Sequence, residues 1–223
     1  MEFFHTLNRG VDKRKIFMDD QDRHRFIHDL FEFNDQNKPI RNHKRRVKLC
    51  DLRSRTVEKR PRKLLVALHA FCLMDNHYHL LLSPLVEGGV VKFMRKLNIG
   101  YAKYFNEKYE RKGALFEGRY KSVPVTTDAH FIHLPYYIHF NPLDFNFPEW
   151  RKGKLSDYTK AIKFLESYKW SSHLDYLGKK NLPSITQRDE LFKFFNESGG
   201  YEKNIFGWLK DLDTQNNEEL FLE

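Results

Sequence analysis

The sequence predicts an α+β fold: an antiparallel sheet with helices packed on one face, and a helical extension behind it. Three observations carry that reading. Residues 64–74 are almost continuously apolar, and after Asp75-Asn76 a second apolar run covers 77–83, the pattern of a β-hairpin. Up to Phe147, strand and helix periodicities follow one another as strand, helix, strand, strand, helix, strand, helix. Beyond Phe147 the pattern turns helical, and no internal repeat is found.

The elements are justified in chain order. Residues 3–10 read as a strand closing in the turn Asn8-Arg9-Gly10. Asp19 is placed to cap a helix, with Asp22 in its first turn. Arg23, Phe26, Ile27, Leu30 and Phe31 then keep helical spacing to about Phe33. Residues 38–63 lack apolar periodicity, contain Pro39 and Pro61, and read as a long loop or flexible insertion. Residues 64–74 fit a strand buried on both faces, with 77–83 as its hairpin partner at the centre of the sheet and Pro84 as its end. Val90, Met94, Leu97, Tyr101 and Tyr104 line one face of a helix over about 89–109. The glycines of 111–122 permit tight turns in a loop that leads into a strand through Val125. Arg119 and Lys121 share one face of that strand, with Tyr120 on the other. Thr127 or Asp128 caps the next helix, which carries Tyr137 and ends by Pro142. Pro135 inside it removes an N–H donor and predicts a kink or a late start. Further helices are expected near 158–168, 187–196 and 201–209.

Charge is concentrated. The chain carries 39 Lys or Arg against 30 Asp or Glu, a net +9. Twelve of the basic residues and only two acids, Asp51 and Glu58, lie between 38 and 63, so that window holds +10 and the remainder −1. Such a segment, with Lys44, Arg45 and Arg46 inside it, points to a polyanion and most often to nucleic acid. The alternative is a solvated loop without a partner. No run of about 18 apolar residues occurs, so no membrane span is expected. Residues 1–6 lack the basic-then-apolar order of a signal peptide. Cys50 and Cys72 form no Cys-x-x-Cys pair and read as reduced thiols of a cytoplasmic protein.

The chemistry sits in two short stretches. In His77-Tyr78-His79 a strand would place both histidines on one face with Leu81, and Tyr78, Leu80 and Leu82 on the other. Two imidazoles held side by side suit a divalent metal. The alternative is a half-buried strand end with two hydrogen-bonded histidines. In the second stretch, Tyr137 and Asn141 are four apart and share a helix face. If that face lies over the histidines, a metal held by His77, His79 and Asn141 would polarise a phosphate, and Tyr137 would attack phosphorus.

His77-Tyr78-His79 resembles the His-hydrophobic-His motif of HUH single-tyrosine transposases. Tyr137-Ile138-His139-Phe140-Asn141-Pro142 is similar to the Tyr-Ile-x-x-Asn-Pro signature of the REP-associated tyrosine transposases within them. Asn8-Arg9-Gly10 with Ile16-Phe17, the segment 113–122, and Trp170-Ser171-Ser172 with Tyr176-Leu177-Gly178 resemble further signatures of that branch, in the same order. The resemblance implies an RRM-like or ferredoxin-like catalytic domain over 1–148, carrying 38–63 as a basic insertion, and a helical extension over 149–223 packed on it. It also implies Mg²⁺- or Mn²⁺-dependent cleavage and strand transfer of single-stranded DNA through a 5′-phosphotyrosine, on hairpin-forming DNA. Tyr137 is then the nucleophile, in preference to the adjacent Tyr136, and His77, His79 and Asn141 are metal ligands. Relatives act as monomers or as homodimers, and the sequence does not choose between them. DNA contacts are expected from Arg119, Lys121, Arg95, Lys96, Lys44, Arg45 and Arg46, with Phe116, Tyr120, Tyr104 and Trp170 as candidate stacking platforms. For Arg119 an ion pair with Glu117 or Asp128 is the competing reading. The competing functions are an inactive DNA-binding repressor of the same fold and a metal-dependent nuclease that uses water.

Overall fold

Asp19 accepts a hydrogen bond from the backbone N–H of Asp22 at 2.9 Å, and this cap starts α1 (Asp20–Glu32). Thr127 does the same for His130 at 3.1 Å and starts the helix that carries Tyr137. The computed structural model describes residues 2–37, 62–197 and 199–211. Cys50, Lys44, Arg45, Arg46 and nearly all of the basic insertion lie outside those residues. With α1, the elements are β1 (Phe3–Arg9), β2 (Val66–Leu73), β3 (His77–Pro84), α2 (Gly89–Lys108), β4 (Lys121–Val125) and α3 (Asp128–Phe140). They are followed by α4 (Tyr158–Ser167), α5 (His173–Tyr176), α6 (Asp189–Glu197) and α7 (Tyr201–Asp211). Pro135 lies inside α3, which runs from Asp128 without a late start.

The sheet is antiparallel, in the order β2-β3-β1-β4. The hairpin β2–β3 is therefore not its centre, as the apolar run had suggested; β3 and β1 are. β1 pairs with β3 from Phe4 opposite Leu82 to Arg9 opposite His77. β2 is fully buried although it is an outer strand. Its outer edge is closed by the C-terminal segment: the N–H of Leu73 donates to the Trp170 carbonyl at 3.0 Å, that of Ser172 to Phe71 at 3.0 Å, and that of Gln187 to Leu68 at 2.8 Å. An edge strand covered in this way reads as a central one.

Helices cover both faces rather than one. Tyr78, Leu80 and Leu82 pack with Phe26 and Leu30 of α1 and with Phe93, Leu97 and Tyr101 of α2. Leu81, Ala70 and Cys72 on the opposite face pack with Leu134 and Ile138 of α3 and, beyond them, Leu165, Leu191, Phe195 and Ile205 of the C-terminal helices. The reason is in the strands. When alternate residues on both sides of β3 are apolar or buried, a single layer of helices leaves one face wet, and the extension supplies the second layer. Among the described residues no helix is long and apolar enough to cross a membrane.

Gly10 ends β1 where the chain turns beside the β2–β3 hairpin, its N–H donating to the Asn76 carbonyl at 2.8 Å. A Cβ there would sit 2.3 Å from the Arg14 carbonyl oxygen, although the φ of −65° suits any residue. The requirement is space. Gly10→Ala is expected to lower stability by about 1–3 kcal/mol, read as a fall in the urea midpoint at unchanged m-value. An unchanged midpoint would show that the Arg14 turn simply moves away.

Candidate active site

His77 and His79 lie on the same face of β3, with ring centroids 4.9 Å apart. The Nδ1–H of His77 donates to Oδ1 of Asn76 at 2.6 Å, which puts the lone pair of the neutral ring on Nε2. Nδ1 of His79 is hydrogen-bonded to Nε2 of His5 at 2.9 Å, and the two rings stack at 5.1 Å. His5 enters from β1, opposite Leu81. Both rings of the His-x-His pair are thus oriented through Nδ1, the arrangement that partners of metal-binding histidines usually provide.

Tyr137 comes down from α3 onto these rings. It meets His79 edge-on at 5.7 Å and His5 at 6.0 Å, and it is 1% exposed. Tyr136 points elsewhere. It stacks on Tyr201 of α7 at 4.9 Å with a 4° interplanar angle, and its hydroxyl donates to the Tyr201 carbonyl. The 100° step per helical residue separates the two tyrosines as expected. Asn141 caps the helix, and its amide N–H donates to the Tyr137 carbonyl at 2.8 Å. Its Oδ1 accepts from Nη2 of Arg151 at 3.1 Å.

Arg151 and His5 were absent from the sequence reading. Arg151 arrives on the second of two 3₁₀ turns, Asn141–Phe145 and Pro148–Lys152. Its Nε and Nη2 grip the Asp144 carboxylate at 2.9 and 2.6 Å, and Nη1 reaches the Tyr137 hydroxyl at 3.5 Å. A period of two marks His5 as sharing a face with Phe3 and Leu7, but only the strand register places it beside His79.

The basic candidates separate. Arg119 and Lys121 are exposed at the start of β4, the open edge of the sheet, and Arg119 forms no ion pair with Glu117 or Asp128. Arg95 and Lys96 lie on α2, which covers the face opposite the histidines, and Lys96 donates to the Asp35 carbonyl at 2.6 Å. The structure does not bring those two to the site. Phe116 and Trp170 are core residues, and Tyr104 and Tyr120 pack against the same core.

No group of three or more His, Cys, Asp or Glu side chains among the described residues has the arrangement of a metal site. His77 and His79 present two imidazoles on one strand face, and the Asn141 amide oxygen is engaged by Arg151 at 3.1 Å. Two nitrogens and one amide oxygen are a different kind of donor set, one that would suit a divalent cation.

Residues 41–141 match the family model described as transposase IS200 like. No curated protein matches the chain. Among solved structures, the chain is similar to a REP-associated tyrosine transposase bound to a REP hairpin. The identity is 11%, covering 83% of this chain and 84% of that one, with a TM-score of 0.45.

Proposed function

We propose that this chain, whose residues 41–141 match the family model described as transposase IS200 like, is a transposase-type enzyme that cleaves and rejoins single-stranded DNA with Tyr137 as nucleophile. One observation carries the reading: the Tyr137 ring packs on His79, beside His77, with Asn141 one turn further along the same helix. A phenol so placed would be a nucleophile beside two imidazoles that suit a metal.

In cleavage the Tyr137 oxygen bonds to phosphorus and the bond from phosphorus to the 3′ oxygen breaks. The phenolic proton passes to solvent, and the departing oxygen takes one up to become a 3′-hydroxyl. The DNA stays attached as a 5′-phosphotyrosine. Attack by a 3′-hydroxyl reverses the step, so rejoining needs no ATP. His77, His79 and Asn141 would hold Mg²⁺ or Mn²⁺, which when bound supplies Lewis-acid polarisation of the phosphate. Asn76 and His5 orient the two rings for that purpose. Arg119 and Lys121 would guide the strand along the open sheet edge, with Lys44, Arg45 and Arg46 adding contacts from the insertion. The substrate class, hairpin-forming REP-like DNA, rests on the resemblance of the 137–142 signature. In this reading 1–148 form the catalytic domain and 149–223 the extension.

The test is incubation with labelled hairpin-containing single-stranded DNA, with Mg²⁺, Mn²⁺ or EDTA, followed by a denaturing gel and peptide mapping. The expected result is a metal-dependent protein–DNA adduct on the peptide that contains Tyr137. Cleavage without an adduct would replace the proposal with a nuclease using water. Binding without cleavage would replace it with an inactive DNA-binding module.

A further inference from the structure

Arg151 makes more contacts than an ion pair needs. The Asp144 carboxylate is already satisfied by Nε and Nη2 of Arg151 and by the indole N–H of Trp150 at 2.6 Å. That side-on grip fixes the plane of the guanidinium and turns its remaining edge toward the site. Nη2 then also donates to Asn141, and Nη1 faces the Tyr137 hydroxyl. Two aromatic rings flank the fork: its carbon lies 5.0 Å from the Trp150 ring and 5.7 Å from the Tyr137 ring. Trp150 is fully buried, and the Arg151 side chain is 22% exposed. A cation so placed costs little reorganisation when charge appears in front of it.

We propose that Arg151 is a catalytic residue of this site, donating from Nη1 to the Tyr137 oxygen whenever that oxygen carries negative charge. This rests on the reading of Tyr137 as nucleophile. Charge sits on the phenolate twice: as it enters the bond to phosphorus and, in rejoining, as it leaves when a 3′-hydroxyl takes the phosphoryl group. The 3.5 Å contact with the neutral hydroxyl is long. It shortens once the acceptor is anionic, because charge-assisted bonds of this kind settle near 2.7–2.9 Å. A guanidinium serves both directions without gaining or losing a proton. It also places one residue of the 149–223 extension at the reacting atom, so the extension is part of the active site.

The experiment measures single-turnover adduct formation and rejoining in Arg151→Gln, Arg151→Lys and Arg151→Ala, with hairpin affinity measured in the Tyr137→Phe background. Both rates are expected to fall by about 10²-fold in Arg151→Gln, the usual loss for one such donor, with DNA affinity unchanged. Arg151→Lys, which keeps the charge beside Asp144 and protects the fold, should fall less. Millimolar guanidinium ion should restore part of the rate to Arg151→Ala. A wild-type rate in Arg151→Gln overturns the assignment. So does a loss that guanidinium does not repair. Mn²⁺ affinity, read from the free-ion electron paramagnetic resonance signal, should stay as in wild type. If it falls in step with the rate, Arg151 acts through Asn141 as a positioning residue, and the catalytic assignment is wrong. An absence of adduct in the wild-type protein itself defeats the nucleophile reading, a result distinct from all of these.

Discussion

Tyr137→Phe is expected to abolish the covalent protein–DNA bond while leaving the fold and hairpin affinity intact; Tyr136→Phe is expected to leave that bond in place. The two residues are neighbours in sequence and both are buried, so only their surroundings distinguish them. The Tyr137 ring is packed by His5, His79 and Trp150, contacts that phenylalanine keeps. Its hydroxyl contact with Arg151 is long, so the loss of that contact costs at most about 1 kcal/mol. Deleting a nucleophile, by contrast, typically lowers the rate by roughly 10⁴-fold or more. The Tyr136 hydroxyl faces the Tyr201 carbonyl inside the second core, and burial pushes its pKa well above the ordinary value. Among the described residues it has neither a metal-type neighbour nor a cation to stabilise a phenolate. The readout is the shifted band on a denaturing gel, together with thermal melts of each variant. A band that survives Tyr137→Phe, or disappears only in Tyr136→Phe, assigns the nucleophile to the wrong side of the helix.

The parts of this fold that were legible in the sequence are those specified by short-range patterns. Alternation around His77-Tyr78-His79 assigned each residue of β3 to its face, and the four-residue step tied Tyr137 to Asn141. Asp19 and Thr127 announced their helices through capping chemistry that spans three residues. What stayed hidden depends on pairing across long sequence separations. An apolar β2 looks central whether it is flanked by strands or, as here, by the backbone of Trp170, Ser172 and Gln187. The same uncertainty concealed His5, because its contact with His79 follows from the β1–β3 register and from nothing near either residue. Arg151 reaches Tyr137 through two 3₁₀ turns whose path no periodicity describes. Arg95 and Lys96 lie away from the histidines for a related reason: helical spacing shows that α2 has a polar side, but not which face of the sheet the helix covers.

A second large effect is expected from acid, through histidines away from the reaction. His69 sits on the β2 bulge, with Nε2 2.8 Å from the Ser83 hydroxyl and Nδ1 3.1 Å from the Gln187 carbonyl. Burial lowers its pKa to about 4. His173 is buried against the Tyr201 hydroxyl at 2.8 Å, and burial lowers its pKa to about 3. Each ring is therefore neutral in the folded chain and takes up its proton on unfolding. Between the lowered values and the ordinary 6.5, the unfolded chain binds more protons, so stability falls as pH falls. Their contribution is complete above about pH 6.5 and is lost progressively toward about pH 4 for His69 and about pH 3 for His173. At pH 5 the two together are expected to have removed about 4 kcal/mol, a large share of the roughly 5–15 kcal/mol that holds a domain of ordinary stability. Urea melts at pH 7, 6 and 5 should show a steep decline, to which buried His139, also held well below its ordinary pKa, adds with the same sign, and His69→Gln should make the decline shallower. A midpoint that stays flat from pH 7 to pH 5 would mean that these rings are hydrated in solution. The decline also bears on the chemistry, since His173 lies in the layer that presses α3 onto the sheet and His69 ties β2 to the C-terminal segment through Gln187. A loss of DNA cleavage below about pH 5.5 is then to be read first as release of Tyr137 from His79, and only after the melts exclude that as a titration within the active site.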